Sequence, residues 1–297
     1  MPSIFTKPLT WLDGIRRLRA RKAMPTTLST EELRGIGGDV KRWATFSAKV
    51  ENASALQEIN DTVEELVRGV TPKDEETFVY TRPDGNTEIR RRKPVQLSIP
   101  DAKLRLQQKF SELGVMVDDA GKVGTIEDPQ SDARLELIVK TQEELAAGYG
   151  KFIADQDKDL LDVWPCQELV RVSPSLVQRN WKERWAMVGG RLYEGRMIAL
   201  KNSDIWDRLG DSNLFPDALG NPYPPFAFNS GMDVADVSRD EAERLGVIEP
   251  NTPTPLPRDR SVIEDVQASP DRFDETLKQA LAGQPDLAII DGVLTLR

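Results

Sequence analysis

The strongest structural signal in the chain is the stretch at residues 131–153, SDARLELIVKTQEELAAGYGKFI. Side chains that can pack against a core recur every three or four residues along it, which is the spacing of one face of an α-helix over about five turns. The positions on this face are Leu135, Ile138, Val139, Gln142, Leu145, Ala146, Tyr149, Phe152 and Ile153. We predict a long helix after Ser131 that anchors the core of the protein.

Downstream of this stretch the sequence alternates between helical, extended and irregular signals. Ser173-Pro174 is a typical helix start and Gly189-Gly190 a typical helix end, which predicts a second long helix between them. Trp181 and Trp185 share one face of that helix, and we interpret them as packing residues rather than as platforms for nucleic-acid bases. The other elements predicted in this region are a strand at 196–200, a short helix or turn at 203–209, and an ordered loop rich in proline and aromatic residues at 210–231.

The first seventy residues are predicted to be helical. Ser29 and Glu32 have the spacing of a capping box, which starts a short helix. Apolar residues then recur at helical intervals from 40 to 50 and from 56 to 67. Between 77 and 93 the pattern changes, because β-branched and aromatic residues flank the turn sequence RPDGN, and this predicts a β-hairpin.

These elements predict an α+β fold with a helical N-terminal region, a central mixed α+β domain with two long helices and a proline-rich packed loop, and a small C-terminal appendage. The sequence TPTPLP at 252–257 is expected to be an extended linker. Beyond it we predict a helix from Ser269-Pro270 and a hairpin around Asp291-Gly292. The expected organisation is a helical region with a basic arm at 1–70, a hairpin-and-helix segment at 71–130, the core domain at 131–250, and the linker with the appendage at 251–297.

The composition excludes several classes of protein. The chain has 297 residues, one cysteine, Cys166, and no histidine. It therefore lacks the side chain that most often moves protons near neutral pH and binds transition metals, and it cannot form an internal disulfide. We expect no metal, no cofactor and an unreactive Cys166. No apolar stretch is long enough for a membrane-spanning helix, so we expect no membrane partner, and a reducing compartment such as a cytoplasm fits best.

Carboxylate chemistry is the enzymatic alternative that the composition leaves open. The chain has 49 Asp and Glu residues, and pairs of such residues serve in glycosidases or hold magnesium in nucleases. The sequence singles out no catalytic residue among them. Asp155, Asp157 and Asp159 alternate like half of a calcium loop, but the glycine and the terminal glutamate of such a loop are missing. We interpret this run as a polar helix end.

Two basic clusters contrast with the net charge of −9. A protein that coats nucleic acid over its whole surface needs a surplus of cations, so only local contacts with an anionic partner are expected. A basic run of this kind is also typical of a solvated strand end. The candidate contact residues are Arg16, Arg17, Arg19, Arg21 and Lys22 near the N-terminus, and Arg90, Arg91, Arg92 and Lys93 at the end of the predicted hairpin.

Several segments between 132 and 247 follow one another in an order that is typical of a known family. They are RLELIVKTQ at 134–142 with AAGYG at 146–150, WPCQELVR at 164–171, the stretch 181–190, and YPPFAFNSGM at 223–232 with DVSR at 236–239. In this order they resemble the phage head morphogenesis family, the phage Mu F-like minor head proteins. The resemblance covers roughly two fifths of the chain. Its most specific part is the proline-aromatic segment that ends in Asn229-Ser230-Gly231.

The resemblance implies a structural minor capsid protein that acts in head morphogenesis and is present in few copies. It implies an association with the phage portal protein, and the major capsid protein and packaged DNA are further candidate partners. The implied location is the virion, in the head interior or near the portal, after assembly in the host cytoplasm. Many family members have His and Cys near the proline-rich end, where this chain has Phe228, Asn229 and Ser230, so we expect no metal site there.

Two other functions remain open on the sequence alone. One is a carboxylate-based virion enzyme, such as a muramidase or a nuclease. The other is a host-encoded binding module on a prophage remnant, which differs from a head protein only in its context.

Overall fold

The structure of the protein is a computed structural model that describes residues 8–34, 41, 44–68, 77–81, 87–91, 97–174, 179–258, 287–290 and 293–296. Numbered in chain order, the described helices are α1 (Pro8–Ala20), α2 (Thr30–Arg34), α3 (Ala53–Arg68), α4 (Ile99–Glu112), α5 (Asp132–Ala154), α6 (Lys158–Val163), α7 (Trp181–Met187), α8 (Ile205–Leu209) and α9 (Arg239–Arg244). The described strands are β1 (Lys22–Ala23), β2 (Ala44–Thr45), β3 (Thr77–Thr81), β4 (Thr87–Arg91), β5 (Cys166–Arg171), β6 (Leu192–Tyr193), β7 (Arg196–Leu200), β8 (Met232–Val237), β9 (Leu287–Ile290) and β10 (Val293–Leu296). The predicted α+β class is confirmed.

Helices α1, α3, α4 and α5 pack around one apolar core. Helix α5 is the long helix that the sequence predicts, and it extends over 23 residues. Its N-terminus is capped by Ser131, whose hydroxyl accepts a hydrogen bond from the amide of Arg134 at 3.2 Å. The fully or almost fully buried side chains of this core are Ile15, Leu18, Leu56, Ile59, Val63, Leu106, Phe110, Leu135 and Val139.

The central region contains a four-stranded antiparallel sheet in the order β6-β7-β5-β8. Strand β5 is paired on both sides, since Gln167 lies opposite Ala199 of β7 and opposite Asp236 of β8. Its backbone hydrogen bonds are therefore supplied by two neighbours. Strand β8 pairs with β5 along its whole length and forms one edge of the sheet.

An aromatic cluster packs next to this sheet. The ring centroid of Trp206 lies 5.3 Å from that of Trp185 and 5.9 Å from that of Phe226. Trp181 belongs to the same cluster and is also buried. The interpretation of Trp181 and Trp185 as packing residues is therefore confirmed.

The segment 210–231 is ordered and packed, as predicted from its aromatic content. Asp217 anchors it to α7, because its carboxylate accepts hydrogen bonds from the guanidinium groups of Arg179 and, at 2.8 Å, Arg184. The two cations hold the pKa of the Asp217 carboxyl below its usual range, although burial of the group opposes this effect. Phe226, near the end of the segment, is fully buried in the aromatic cluster.

The second long helix is shorter than predicted. Helix α7 spans Trp181–Met187 and starts at Asn180, whose side chain caps its first turn. Upstream, the amides of Val172 and Ser173 both donate to the carbonyl oxygen of Gly231, at 2.9 and 3.2 Å. The chain is therefore still paired with the segment leading into β8 at the position where the hydroxyl-proline signal predicts a helix start.

The chain at 44–50 is not helical, contrary to the prediction from apolar spacing. Strand β2 lies in this stretch and pairs in parallel with β1. The guanidinium of Arg21 donates to the carbonyl oxygens of Lys41, at 3.1 Å, and of Ala44. These contacts between segments outweigh the local preference for a helix, because intrinsic helix propensity amounts to only about 0.7 kcal/mol per residue.

The shorter predicted elements agree with the structure. The amide of Ser29 donates to the Glu32 carboxylate at 2.7 Å, and the reciprocal bond is present at 3.3 Å, so the capping box is confirmed. Strands β3 and β4 form the first predicted hairpin, and β9 and β10 form the second. The helix predicted from Ser269-Pro270 lies outside the described residues.

The predicted linker contains neither helix nor strand at 252–258, and it is attached to the core domain. The Asn202 side chain donates to the carbonyl oxygen of Leu256 at 3.4 Å. The Arg258 guanidinium donates to the Asp207 carboxylate at 2.7 Å. Residues 252–258 therefore follow the surface of the domain.

Gly148 fixes the position of the proline-rich loop against α5. A Cβ atom at residue 148 would overlap the carbonyl oxygen of Pro224 and would lie 3.3 Å from the ring of Tyr223. The main chains of the helix and the loop are thus in direct contact, which a residue without a side chain permits. Both segments contribute walls to the cleft described below.

We expect Gly148→Ala to lower the free energy of unfolding by about 1–3 kcal/mol, because the added methyl group overpacks a backbone contact. Helix propensity alone predicts the opposite sign, since alanine is favoured over glycine in a helix by about 1 kcal/mol. Urea unfolding of the full chain measures the difference. In the control Gly121→Ala the new Cβ meets only the Asp119 side chain, at 3.3 Å, and the change should stay within about 0.5 kcal/mol. A stabilised Gly148→Ala variant would contradict the close approach.

Candidate functional site

Arg21 is the most deeply buried of the predicted contact residues near the N-terminus. Only 6% of its surface is exposed. Its guanidinium donates to the side chain of Gln142 in α5 and to two backbone carbonyl oxygens. Burial lowers the pKa of Arg21 to about 10, and the positive charge of Arg17 adds to this effect. The charge of Arg21 therefore joins α1 to the rest of the fold, and its contact with a partner stays a prediction.

The other N-terminal cations differ in their exposure. The Arg17 guanidinium lies over an aromatic ring of α5, 5.5 Å from its centroid. Arg19 binds a glutamate of α3, with its Nε at 2.9 Å from the carboxylate. Arg16 is 78% exposed and, among the residues that the structure describes, pairs with Asp13 of its own helix at 3.1 Å. Lys22 is exposed on β1. The residues of this cluster that can reach a partner are thus Arg16, Lys22 and the exposed part of Arg19.

The second predicted cluster is only partly within the described chain. Arg90 and Arg91 occupy the end of β4, opposite Phe78 and Thr77 of β3. Arg92 and Lys93 lie outside the described residues. This cluster stays a prediction.

A cleft of about 290 Å³ lies between α5, the proline-rich loop and the sheet. Helix α5 forms one wall, and the loop residues from Pro222 to Pro225 form a second, largely apolar wall. The rings of Phe152 and Tyr223 meet behind these walls, with their centroids 5.5 Å apart. Strands β5 and β8 contribute Gln167 and Val234. The cleft is therefore assembled from four separate parts of the sequence.

Two carboxylates line this cleft without a cationic partner among the described residues. Glu144 is exposed at its mouth, and Asp233 follows the turn that leads into β8. Desolvation by the surrounding walls raises the pKa of the Glu144 carboxyl, and the negative charges of Glu143 and Asp233 add to this effect while the charge of Lys140 opposes it. One oxygen of Asp233 accepts a hydrogen bond from the amide of Val234 at 2.7 Å.

Gln167 supplies the polar group from the sheet side of the cleft. The residue is 6% exposed and lines the cavity. Its side-chain amide has no hydrogen-bond partner among the described residues, and neither of its polar atoms is shut off completely within the protein. This amide therefore faces the cavity as an unused donor and acceptor.

A network of alternating charges closes the inner end of the cleft. Lys201, almost completely buried, lies 2.9 Å from an oxygen of Asp155 and 2.8 Å from an oxygen of Asp236. Lys151 contacts the same two carboxylates, at 2.9 and 3.0 Å. Burial opposes ionisation of Asp236, but the two lysines together hold the pKa of its carboxyl below the usual range. The two cations and the two anions balance each other.

Glu144 and Asp233 lie close enough for their charges to interact, and the cleft walls desolvate the Glu144 carboxyl. The two lysines and two aspartates of the network cancel in charge. The net charge of the cleft therefore comes from Glu144 and Asp233. A carboxyl with a raised pKa next to a second carboxylate is the pattern that general acids show in glycosidases. The sequence points to neither residue, because the two are far apart in the chain and only folding places them on one cleft. Asp155 is interpreted from the sequence as part of a polar helix end, and the structure adds its role in the buried network.

No protein-family model, no curated protein and no solved structure matches this chain. Across the described ranges, no three or more acidic or cysteine side chains are grouped as a metal site requires. The helices of the described chain include none with both the length and the apolar character to span a membrane.

We expect Lys201→Met to lower the free energy of unfolding by about 3 kcal/mol, because removing a buried cation leaves two carboxylates with one partner between them. Urea unfolding monitored by tryptophan fluorescence provides the measurement. Lys122→Met is the matched control, since Lys122 forms an exposed pair with Glu127 at 2.6 Å and should change stability by less than about 1 kcal/mol. Equal effects of the two substitutions would show that the inner network is solvated.

Cys166 is predicted to be inert, and its surroundings explain why. It is fully buried beside Ile198 and Val237, and burial raises the pKa of its thiol to about 12. The thiolate is the reactive form, so a thiol reagent at neutral pH should label the native chain at least about 100-fold more slowly than the urea-unfolded chain. Rapid labelling of the native chain would contradict this burial.

Proposed function

We propose that this chain is a structural minor head protein of a tailed phage that acts in head morphogenesis by binding the portal protein. The family resemblance of residues 132–247 is the basis of the proposal. The location proposed with it is the virion, in the head interior or near the portal, after assembly in the host cytoplasm. The major capsid protein and packaged DNA are further candidate partners.

The observation that supports the proposal most directly is that the resembling segments form one packed unit. Gly148 in the first segment contacts Pro224 in the last. The strand at 166–171 pairs with the strand at 232–237. Trp185 stacks into the cluster that also holds Phe226. Segments that share an order in a family are expected to contact one another, and each of these segments contacts at least one other, although their apolar side chains belong to several clusters.

The backbone conformation at the end of the proline-aromatic segment explains why Asn229, Ser230 and Gly231 stand there. Asn229 and Gly231 both have positive φ angles, of 48° and 64°. Asparagine and glycine are the residues that tolerate this conformation best. Ser230 between them is fully buried, and its hydroxyl accepts a hydrogen bond from the amide of Met232 at 3.2 Å. The motif therefore turns the chain into β8.

Contact with the portal or with DNA is proposed for the exposed part of the N-terminal basic arm. Arg16 and Lys22 are the residues of this arm that retain large exposed surfaces, and Arg19 adds a partly neutralised charge. A few exposed cations steer binding to an anionic surface and make it sensitive to salt. The Arg90 to Lys93 cluster remains a second candidate.

The first test is whether the chain is a resident of the particle. We expect mass spectrometry of purified virions to detect it at a few copies per head. Its absence from purified heads would reject the proposal.

The second test measures binding. We expect the double variant Arg16→Gln with Lys22→Gln to weaken association with purified portal protein about tenfold at low salt, and to reduce the dependence of binding on salt concentration. The control is Lys122→Gln with Arg244→Gln, which removes the same charge from other exposed positions. Unchanged binding and an unchanged salt dependence in the N-terminal variant would reject the arm as the contact.

A carboxylate-based virion enzyme is the second candidate, and the cleft is the observation that favours it. Glu144 with its raised pKa would serve as the acid and Asp233 as the base or nucleophile. The test is hydrolysis of peptidoglycan and of DNA by the purified chain. Turnover that Glu144→Gln abolishes would favour the enzyme over the structural protein.

A further inference from the structure

We infer that the cleft between α5, the proline-rich loop and strands β5 and β8 is a docking site for an arginine side chain of a partner protein. The inference goes beyond the proposed role in the phage head and does not depend on it. It rests on the charge of the cleft, on the unused amide of Gln167, and on the size and polarity of the walls.

The charge of the cleft is complementary to one cation. Lys151 lines the cavity, but its charge is matched by Asp155 and Asp236. Lys201 binds the same two carboxylates. Glu144 and Asp233 remain, and neither forms an ion pair with a described residue. The negative excess therefore lies at the mouth and along one wall, where an incoming cation arrives first.

The amide of Gln167 provides a second polar contact deeper in the cleft. Its strand is already paired on both sides, so the side chain is not needed to complete the sheet. The residue is more than nine-tenths buried, and no described residue binds its amide. The Gln167 carbonyl oxygen is therefore open to the cleft and can accept a hydrogen bond from a bound donor.

The volume and the walls favour a side chain over a larger ligand. Pockets for small molecules typically measure about 300–1,000 Å³, and this cleft of about 290 Å³ lies just below that range. The walls at Val172, Pro224 and Pro225 are apolar. The methylene groups of a long cationic side chain pack well on such walls while its charged end reaches polar groups.

Arginine fits this set of groups better than lysine. Its guanidinium carries five N–H donors in one plane, so it can bind a carboxylate through two of them and still donate to an amide oxygen. A lysine ammonium has three donors and a stronger hydration shell, which makes its transfer into a partly apolar cleft less favourable. Glu144 on α5 and the Gln167 oxygen on β5 offer acceptors from two walls of the cavity, and Asp233 adds a negative charge at the start of β8.

Titration of the purified full chain with N-acetyl-arginine methylamide tests the inference. We expect binding in the millimolar range, followed by NMR shifts of the Gln167 side-chain amide and the backbone at 144–152. N-acetyl-citrulline methylamide has nearly the same shape without the charge and should bind at least about tenfold more weakly. N-acetyl-lysine methylamide should bind about fivefold more weakly.

Substitutions in the cleft test whether the arginine probe binds there. Glu144→Gln and Asp233→Asn should each weaken binding of the arginine probe about fivefold to tenfold, because each removes one negative charge at the cleft. Glu112→Gln, at an exposed position on α4, should leave binding unchanged. Gln167→Met should weaken binding while keeping the side-chain volume, and an unchanged urea midpoint checks that each variant is folded.

Three results would overturn the inference. They are equal affinity for the arginine and citrulline probes, tighter binding of the lysine probe, and arginine binding that neither Glu144→Gln nor Asp233→Asn weakens. Because Glu144 lies at the mouth of the cleft, its variant remains informative even if Gln167→Met fails to fold. None of these measurements involves phage particles, so their outcome is separate from that of the proposed function.

Discussion

The direct contact between Gly148 of α5 and the carbonyl of Pro224 is the constraint on which the rest of the central region depends. It allows the proline-rich loop to lie against the helix without intervening side chains. On the other side of the same helix, Leu135 and Val139 pack into the N-terminal helical core. Helix α5 is thus shared by two sets of contacts, and the cleft is the space left where the loop turns away from it. A side chain at 148 would separate the loop from the helix and open that space.

Buried cations join the parts of the fold to one another. Arg21 joins α1 to α5, and Lys201 joins the end of β7 to α5 and β8. Lys41 donates to the Ala218 carbonyl oxygen at 3.1 Å, and burial lowers its pKa to about 8 although Asp217 opposes this shift. Charges in such positions require partners, because an isolated buried charge is strongly unfavourable. The sequence therefore contains more basic residues than are available for binding a partner. In the N-terminal arm, for example, Arg21 is buried within the fold.

The fold follows from the sequence where local patterns and packing agree. The long helix after Ser131, the capping box at Ser29, and the hairpins are each specified by residues close together in the chain. The prediction fails at Ser173, where a typical helix start is instead held by pairing with Gly231. It fails also at 44–50, where contacts from Arg21 set the backbone. In both places the deciding partner is distant in sequence, so local spacing carries no information about it.

The candidate site was outside the reach of sequence reasoning for the same reason. Glu144, Gln167 and Asp233 come from a helix and from two strands, and no spacing links them. A partial signal exists in Gln167, since a polar residue between Cys166 and Leu169 on a strand buried on both sides is unexpected. That signal identifies an unusual residue, whereas only the assembled cleft shows what surrounds it.

Acid catalysis and arginine binding in the cleft require opposite protonation states of Glu144. A general acid must hold its proton near the working pH, and desolvation with the nearby carboxylates raises the pKa of Glu144 in that direction. A guanidinium between Glu144 and Asp233 would favour the ionised form of both and lower the same pKa. Binding of arginine would thus abolish the condition for acid catalysis. A bound cation would therefore reduce the repulsion of Glu144 by Glu143 and Asp233, whereas a neutral ligand of the same shape would not.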